Sequence, residues 1–203
     1  MMRAITRAAA LVLLVLPLAC AGCSRKPLSY EEEIAAWHAD RDALMRDSSE
    51  SPVPKEKRAT FPPLPYFATN AEYRVPAALT VNPVADDILE MATSTGQRRR
   101  MQRIGTLEFT LKGERLKLTA FVDATEKDLR RLFVPFGDLT SGTETYPGGR
   151  YIDLDRTATG IYDLDFNRAY HPYCLYNPTY DCPIPPRENR LRLPIRAGER
   201  LKP

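Results

Sequence analysis

The chain has 203 residues, of which 27% are charged and 43% hydrophobic; this is enough for one domain with a real core and unlike a disordered chain. Eighteen prolines against ten glycines predict stiff, extended connections and few long helices. The formal charge of +3 becomes about +1 once Arg3 and Arg7 are set aside, a near-neutral balance that gives no general case for a nucleic-acid partner.

Residues 1–22 read as a signal peptide. Arg3 and Arg7 form a basic start, an apolar run covers residues 8–18, and small residues follow up to Cys23. The run is shorter than the roughly 20 residues that span a bilayer. Ala21-Gly22-Cys23 resembles the end of a lipobox, with Cys23 as the acylated residue and residues 23–28 as a tether. Cys20 stands where that motif usually has leucine and is the competing acceptor. Two or three acyl chains anchor firmly, so the expected place is the cell envelope, with a membrane as partner through the lipid. Ser24 after the cysteine favours the periplasmic face of the outer membrane if the source has two membranes.

Residues 29–203 read as a single domain. Ser29 with Glu32 forms a capping box for a helix over residues 29–46, and Glu31, Glu32 and Glu33 suit its positive end. Tyr30, Ile34, Trp37, Arg41 and Leu44 recur at helical spacing on one face, which makes Trp37 a docking residue. Residues 47–65 are polar and proline-rich, a linker or wrapping loop, and residues 66–203 form a β-rich body.

The clearest strand signal is a hairpin, in which Leu107, Phe109 and Leu111 alternate with polar residues and Leu116, Leu118 and Ala120 follow. A two-residue turn at Gly113-Glu114 would pair Leu111 with Leu116 and Phe109 with Leu118. Further strands are expected at Tyr73–Val81, Leu132–Phe136, Tyr151–Leu154 and Ile161–Asn167. The basic cluster Arg98, Arg99, Arg100 and Arg103 reads either as a solvated strand edge or as a face for anionic head groups. The fold class is therefore α+β: a mainly antiparallel sheet or partial barrel, an N-terminal helix and a Pro/Tyr-rich C-terminal strap.

Residues 136–150 are dense in hydroxyls, acids and glycine, and include Asp138, Thr140, Thr145, Tyr146 and Arg150. On a strand, Asp163, Asp165 and Asn167 would share one face, with Arg150 as their natural partner. The same three residues match the start of a calcium loop, but its glycine would be Arg168 and its closing glutamate Cys174, so no metal is expected. Residues 170–186 are rich in tyrosine and proline and read as a strap over the sheet. In an exported protein Cys174 and Cys182 are placed for a disulfide, closing a loop worth about 2–3 kcal/mol; free thiols or a metal pair are the alternatives.

Several long motifs carry a resemblance. The stretch from Gly137-Asp138 to Arg150, Leu164-Asp165-Phe166-Asn167, Tyr170-His171-Pro172-Tyr173-Cys174, Cys182-Pro183-Ile184-Pro185-Pro186 with Glu188-Asn189-Arg190-Leu191, and Ala197-Gly198-Glu199 resemble the bacterial family named domain of unknown function 1684. The resemblance spans nearly all of the mature chain, including the Trp37 helix and the Leu107 hairpin. That family has no established activity, so the likeness implies no mechanism. It commonly carries asparagine where His171 stands, which argues against an obligate catalytic histidine.

Two functional readings remain, beside a purely structural envelope protein. In the first, a binding module grips a small ligand or an envelope polymer through Asp138, Thr140, Thr145, Tyr146, Arg150, Asp165, Asn167, Tyr170, His171 and Asn189. In the second, a hydrolase or transferase uses Asp138 and Asp165 as acid and base, with Arg150 steadying negative charge. No nucleophile elbow or phosphate-cradling loop supports the second, no cofactor is implied, and the oligomeric state is not set by the sequence.

Overall fold

The computed structural model describes residues 26–126 and 130–202. The signal peptide and both candidate acylation cysteines, Cys20 and Cys23, lie outside the described residues. Helix α1, Tyr30–Asp47, starts at the expected cap: the Ser29 side chain accepts from Glu32 N–H, and the Glu32 carboxylate accepts from Ser29 N–H at 2.7 Å. Ile34 and Met45 are the fully buried residues of its inner face. Met45 packs with Val53 and Leu64, so residues 47–65 wrap back under the helix; a 3-10 helix at Lys55–Thr60 lies within them. Among the described residues, no helix is long and apolar enough to cross a membrane.

Seven strands follow: β1 Arg74–Val81, β2 Ile88–Ala92, β3 Arg98–Leu111, β4 Glu114–Asp123, β5 Arg131–Phe136, β6 Arg150–Asp155 and β7 Ile161–Asp165. They form one antiparallel sheet in the order β6-β5-β4-β3-β1-β7, with β2 also paired to β3, and curl into a nearly closed barrel. The architecture is thus α+β, with one α-helix among the described residues leading the barrel. Period-two alternation sorts the faces. Leu107, Phe109, Leu118, Ala120, Leu132, Val134, Ile152 and Leu164 fill the interior, while Phe121, Met91 and Met101 form a smaller cluster on the outer face against Phe133.

The hairpin forms with a different turn from the expected one. The turn residues are Lys112 and Gly113, with φ of 50° and 81°, and Leu111 pairs with Glu114. Phe109 therefore faces Leu116 and Leu107 faces Leu118, two residues away from the register read for Gly113-Glu114. Two left-handed residues in succession are the type I′ geometry whose twist matches that of the strands, and glycine takes the second place without strain. A shift of two keeps every side chain on its face, so the apolar pattern could not reveal it.

Arg98, Arg99 and Arg100 pair with β2, and the register of β3 with β4 begins only at Met101, so the start of the arginine cluster has a strand neighbour on one side; Arg103 lies opposite Phe121 of β4. The side chains of the cluster reach partners: Arg99 donates to Asp181 O at 2.9 Å, Arg100 meets Glu90 at 3.5 Å, and Arg103 meets Asp87 at 3.0 Å.

Candidate functional site

The polar segment after β5 is built around one carboxylate. Asp138 Oδ1 accepts from Thr140 N–H at 2.8 Å, from the Thr140 hydroxyl at 2.6 Å and from Ile195 N–H at 3.1 Å. Because the Thr140 proton is committed to Asp138, the Thr145 hydroxyl donates to Thr140 at 2.9 Å. Arg150 Nη2 meets Asp138 Oδ2 at 3.0 Å, with both side chains cut off from solvent. The same guanidinium donates to the carbonyls of Ile195, Ala197 and Glu199. Burial pulls the pKa of Arg150 down and Asp138 opposes that pull. The expected partnership of Arg150 with Asp163 and Asp165 is corrected here: Asp163 pairs with Arg74 at 2.6 Å on the surface, and Arg150 closes the C-terminal strap.

Asp165 and Asn167 belong to a second cluster. The Tyr30 hydroxyl lies 2.9 and 3.0 Å from the two oxygens of Asp165, which ties the start of α1 to the end of β7. Burial first, and Asp165 second, raise the pKa of that phenol. Asn167, in a 3-10 turn after β7, accepts from Asn70 N–H at 3.0 Å and donates to Asn70 O at 2.9 Å. A third cluster gathers on Glu199, which accepts from Arg41 Nη2 at 2.9 Å, His171 N–H at 2.7 Å and the Tyr176 hydroxyl at 3.0 Å. The His171 ring accepts from Tyr146 N–H through Nε2 at 3.2 Å, which fixes the neutral tautomer with its proton on Nδ1, towards Glu199. Burial, with Arg150 and Arg41 nearby, lowers the His171 pKa to about 3.

Asn189 stands between strands. Beyond the Phe121–Phe133 pair, the next partners would be Thr119 and Pro135, and Pro135 has no N–H to offer. Asn189 inserts its carboxamide instead, accepting from Thr119 N–H at 2.7 Å and donating to Thr119 O and Pro135 O at 2.9 and 2.7 Å. Asp138 and Asp165, read as a possible acid–base pair, thus stand in separate clusters with separate partners.

Cys174 and Cys182, expected as a disulfide, stand as free thiols in the structure. Cys182 Sγ accepts from Cys174 N–H at 3.1 Å, and the Cys174 thiol points at the Tyr146 hydroxyl 3.8 Å away. The two thiols also interact with each other through their side chains. Burial pushes the Cys182 thiol up to about 12.

An open cleft lies elsewhere, on the outer face of the sheet, bounded by α1 and the strap. Its volume is about 680 Å³, within the usual range for small-molecule sites. Trp37 and Arg41 come from α1, Phe133 from β5, Tyr151, Asp153 and Asp155 from β6, and Tyr170, Tyr173 and Tyr180 from the strap. The Arg41 guanidinium lies 4.8 Å from the Tyr170 ring centre and 6.0 Å from that of Trp37, so Glu199, by holding Arg41, also sets the spacing of the two aromatic walls. Tyr170 donates to Asp153 Oδ2 at 2.9 Å. Although Asp153 is exposed to the cleft, desolvation by the surrounding walls raises its pKa above the ordinary carboxylate value. Among the described residues, no group of three or more His, Cys, Asp or Glu side chains is placed to hold a metal ion.

Of the candidate ligand-binding residues, Tyr170 lines this cleft, whereas Asp138, Thr140, Thr145, Arg150, Asp165, Asn167, His171 and Asn189 are buried. Tyr146 is partly buried beside the thiols. Asp153 and Asp155 were missed although a signal existed: Tyr151, Asp153 and Asp155 alternate with Ile152 and Leu154, the pattern that drew attention to Asp163 and Asp165. Arg41 was also visible, as the charged residue on an otherwise apolar helical stripe.

A comparison with curated proteins found no match. Among solved structures, the chain is similar to the solution NMR structure of an uncharacterized protein of Haloarcula marismortui, with 37% identity and a TM-score of 0.66. That match covers 85% of this chain and 94% of the archaeal one. Residues 59–200, which hold the seven described strands, the strap and the polar clusters apart from Tyr30 and Arg41, match the family model described as protein of unknown function, DUF1684, and the chain belongs to that family.

Proposed function

We propose that this protein is a ligand-binding module of the cell envelope, tethered through lipidated Cys23, whose binding site is the cleft between α1, the outer face of the sheet and the strap. The observation that carries this reading is the cleft itself: an open concavity in which aromatic faces surround Asp153, with its Oδ1 left without a hydrogen bond among the described residues. The buried clusters around Asp138, Asp165 and Glu199 support it indirectly. They hold α1 and the strap, the cleft's two walls, in fixed positions, and apart from the Nε of Arg150 their buried side-chain donors and acceptors are already engaged. The tether rests on the basic start, short apolar run and Ala21-Gly22-Cys23 of the leader.

A thermal-shift screen of metabolites and glycan fragments tests the site. A ligand that stabilises the wild type and the Asp165→Asn variant, but neither Trp37→Ala nor Asp153→Asn, is the expected result; stabilisation that survives both cleft variants refutes it. The anchor is tested separately. Cys23→Ala should abolish fatty-acid labelling and release the protein from membranes, and persistent labelling moves the acceptor to Cys20.

A further inference from the structure

Resting on the reading of the cleft as a ligand site, we infer that its occupant is a neutral oligosaccharide, stacked on Trp37 and Tyr170 and hydrogen-bonded to Asp153. The argument begins with charge. Arginines at the cleft would suit an anion, but each already faces an acceptor. Arg41 is held by Glu199 at 2.9 Å, Arg99 by Asp181 O at 2.9 Å, Arg131 meets Asp155 at 3.6 Å, and Arg168 meets Asp165 at 3.6 Å. A phosphate or carboxylate ligand would have to break these contacts to gain its own.

Of the four aspartates that line the cleft, all but Asp153 are engaged in the same way. Asp181 accepts from the Thr95 hydroxyl at 2.6 Å and Asp123 from the Thr125 hydroxyl at 2.6 Å, while Asp155 faces Arg131. The arginines lining the cleft, Arg41, Arg99, Arg131 and Arg168, are matched in number by the aspartates Asp123, Asp153, Asp155 and Asp181, so the lining carries no net charge of either sign.

What the cleft does offer is a mixture of single donors and acceptors beside flat apolar faces. Among the described residues, the Tyr173 and Tyr180 hydroxyls and the Trp37 indole N–H donate to no hydrogen-bond partner, and Asp153 Oδ1 accepts none. Hydroxyl groups match such a surface because each both donates and accepts. A pyranose ring adds a face of C–H groups that packs on an aromatic ring while its equatorial hydroxyls reach the carboxylate at the edge. The concavity also continues. A second cavity of about 680 Å³, lined also by Glu126, Arg130 and Arg156, shares Phe133, Asp153 and Asp155 with the first, which leaves room beside the first ring for further sugars.

Trp37 is the sole tryptophan of the chain and lines the cleft, so it reports occupancy without a label. The test is a fluorescence titration of the full-length protein in a sugar-free polyoxyethylene detergent, with maltotriose, cellotriose and chitotriose as probes and with AMP, glutamate and spermidine as charged controls. At least one trisaccharide should shift Trp37 emission along a saturating curve, and Asp153→Asn should weaken that binding roughly tenfold or more at an unchanged melting temperature. Tyr170→Phe, which leaves the ring and removes the donor to Asp153, is the second variant and should also change the affinity. Saturable binding of a charged control, lost in Asp153→Asn and with no response to the trisaccharides, overturns the saccharide assignment and leaves the cleft as the binding site. Silence of Trp37 towards every probe overturns the assignment, and if the broader screen is also silent at the cleft, the binding reading falls with it.

Discussion

The carboxamide of Asn189 exchanges two hydrogen bonds with the main chain of Thr119, at 2.7 and 2.9 Å, as a neighbouring strand would. It does so where proline at position 135 denies β4 its next partner, and the strap thereby becomes part of the sheet.

Replacing Asn189 with alanine should leave the Thr119 N–H and the carbonyls of Thr119 and Pro135 without their partners. A loss of about 2–4 kcal/mol is expected, since each buried unsatisfied group costs about 1–3 kcal/mol and water recovers part of it. Urea unfolding gives the total, and amide exchange at Thr119 gives the local effect. Exchange at Thr119 that stays as slow in the variant as in the wild type contradicts the role assigned to Asn189.

Arg150→Met should be more damaging than Asp138→Asn. The methionine abandons three strap carbonyls and strands a buried carboxylate, whereas asparagine keeps an acceptor for Ile195 N–H. Breaking such a buried pair from one side costs about 3–5 kcal/mol. Equal losses in the two variants, measured by chemical denaturation, would mean that the carbonyl contacts of Arg150 contribute little.

His171 makes stability depend on pH. Its folded pKa is lowered to about 3 from an ordinary 6.5, so the unfolded chain takes up the proton first as pH falls. The stabilisation is complete above about pH 6.5 and is lost progressively between there and pH 3, at no more than about 1.4 kcal/mol per pH unit from this group. His171→Gln retains an acceptor for Tyr146 N–H without the titration. The fall in urea midpoint from pH 7.5 to pH 5 should be smaller in that variant, and an identical fall in both proteins refutes the assignment.

Both thiols should react with a thiol reagent once the protein is unfolded, and Cys182 only slowly before. Burial pushes Cys182 up to about 12, so little of it is thiolate at pH 8. A thiol-reactive chromophore should therefore count two cysteines from the strap in denaturant without reductant. A count of none there would restore the disulfide.

Much of the secondary structure was legible in the chain because local rules decide it. Ser29 with Glu32 fixes where α1 begins, and the alternation of Leu107, Phe109 and Leu111 fixes a strand and its buried face. Position along the chain also marked Asp138, Arg150, Asp165 and Asn189 as unusual, which they are. What they touch was not legible, because a carboxylate prepared for a ligand and one prepared for the fold look alike until burial is known. Asp138 is closed off by Ile195 N–H and Arg150, contacts that span 57 and 12 residues of chain. Asp153 escaped notice for the converse reason. Its strand pattern was as plain as that of Asp163 and Asp165, but only the folding of Trp37 from one end of the chain and Tyr170 from the other onto the outer face of β6 turns a surface aspartate into the floor of a cleft. Sequence by itself determined the helix, most of the strands with their faces, and the family, but not β2. Tertiary structure decided which polar residues are enclosed and which stand open, since that depends on contacts between separate segments and not on a residue's neighbours in the chain.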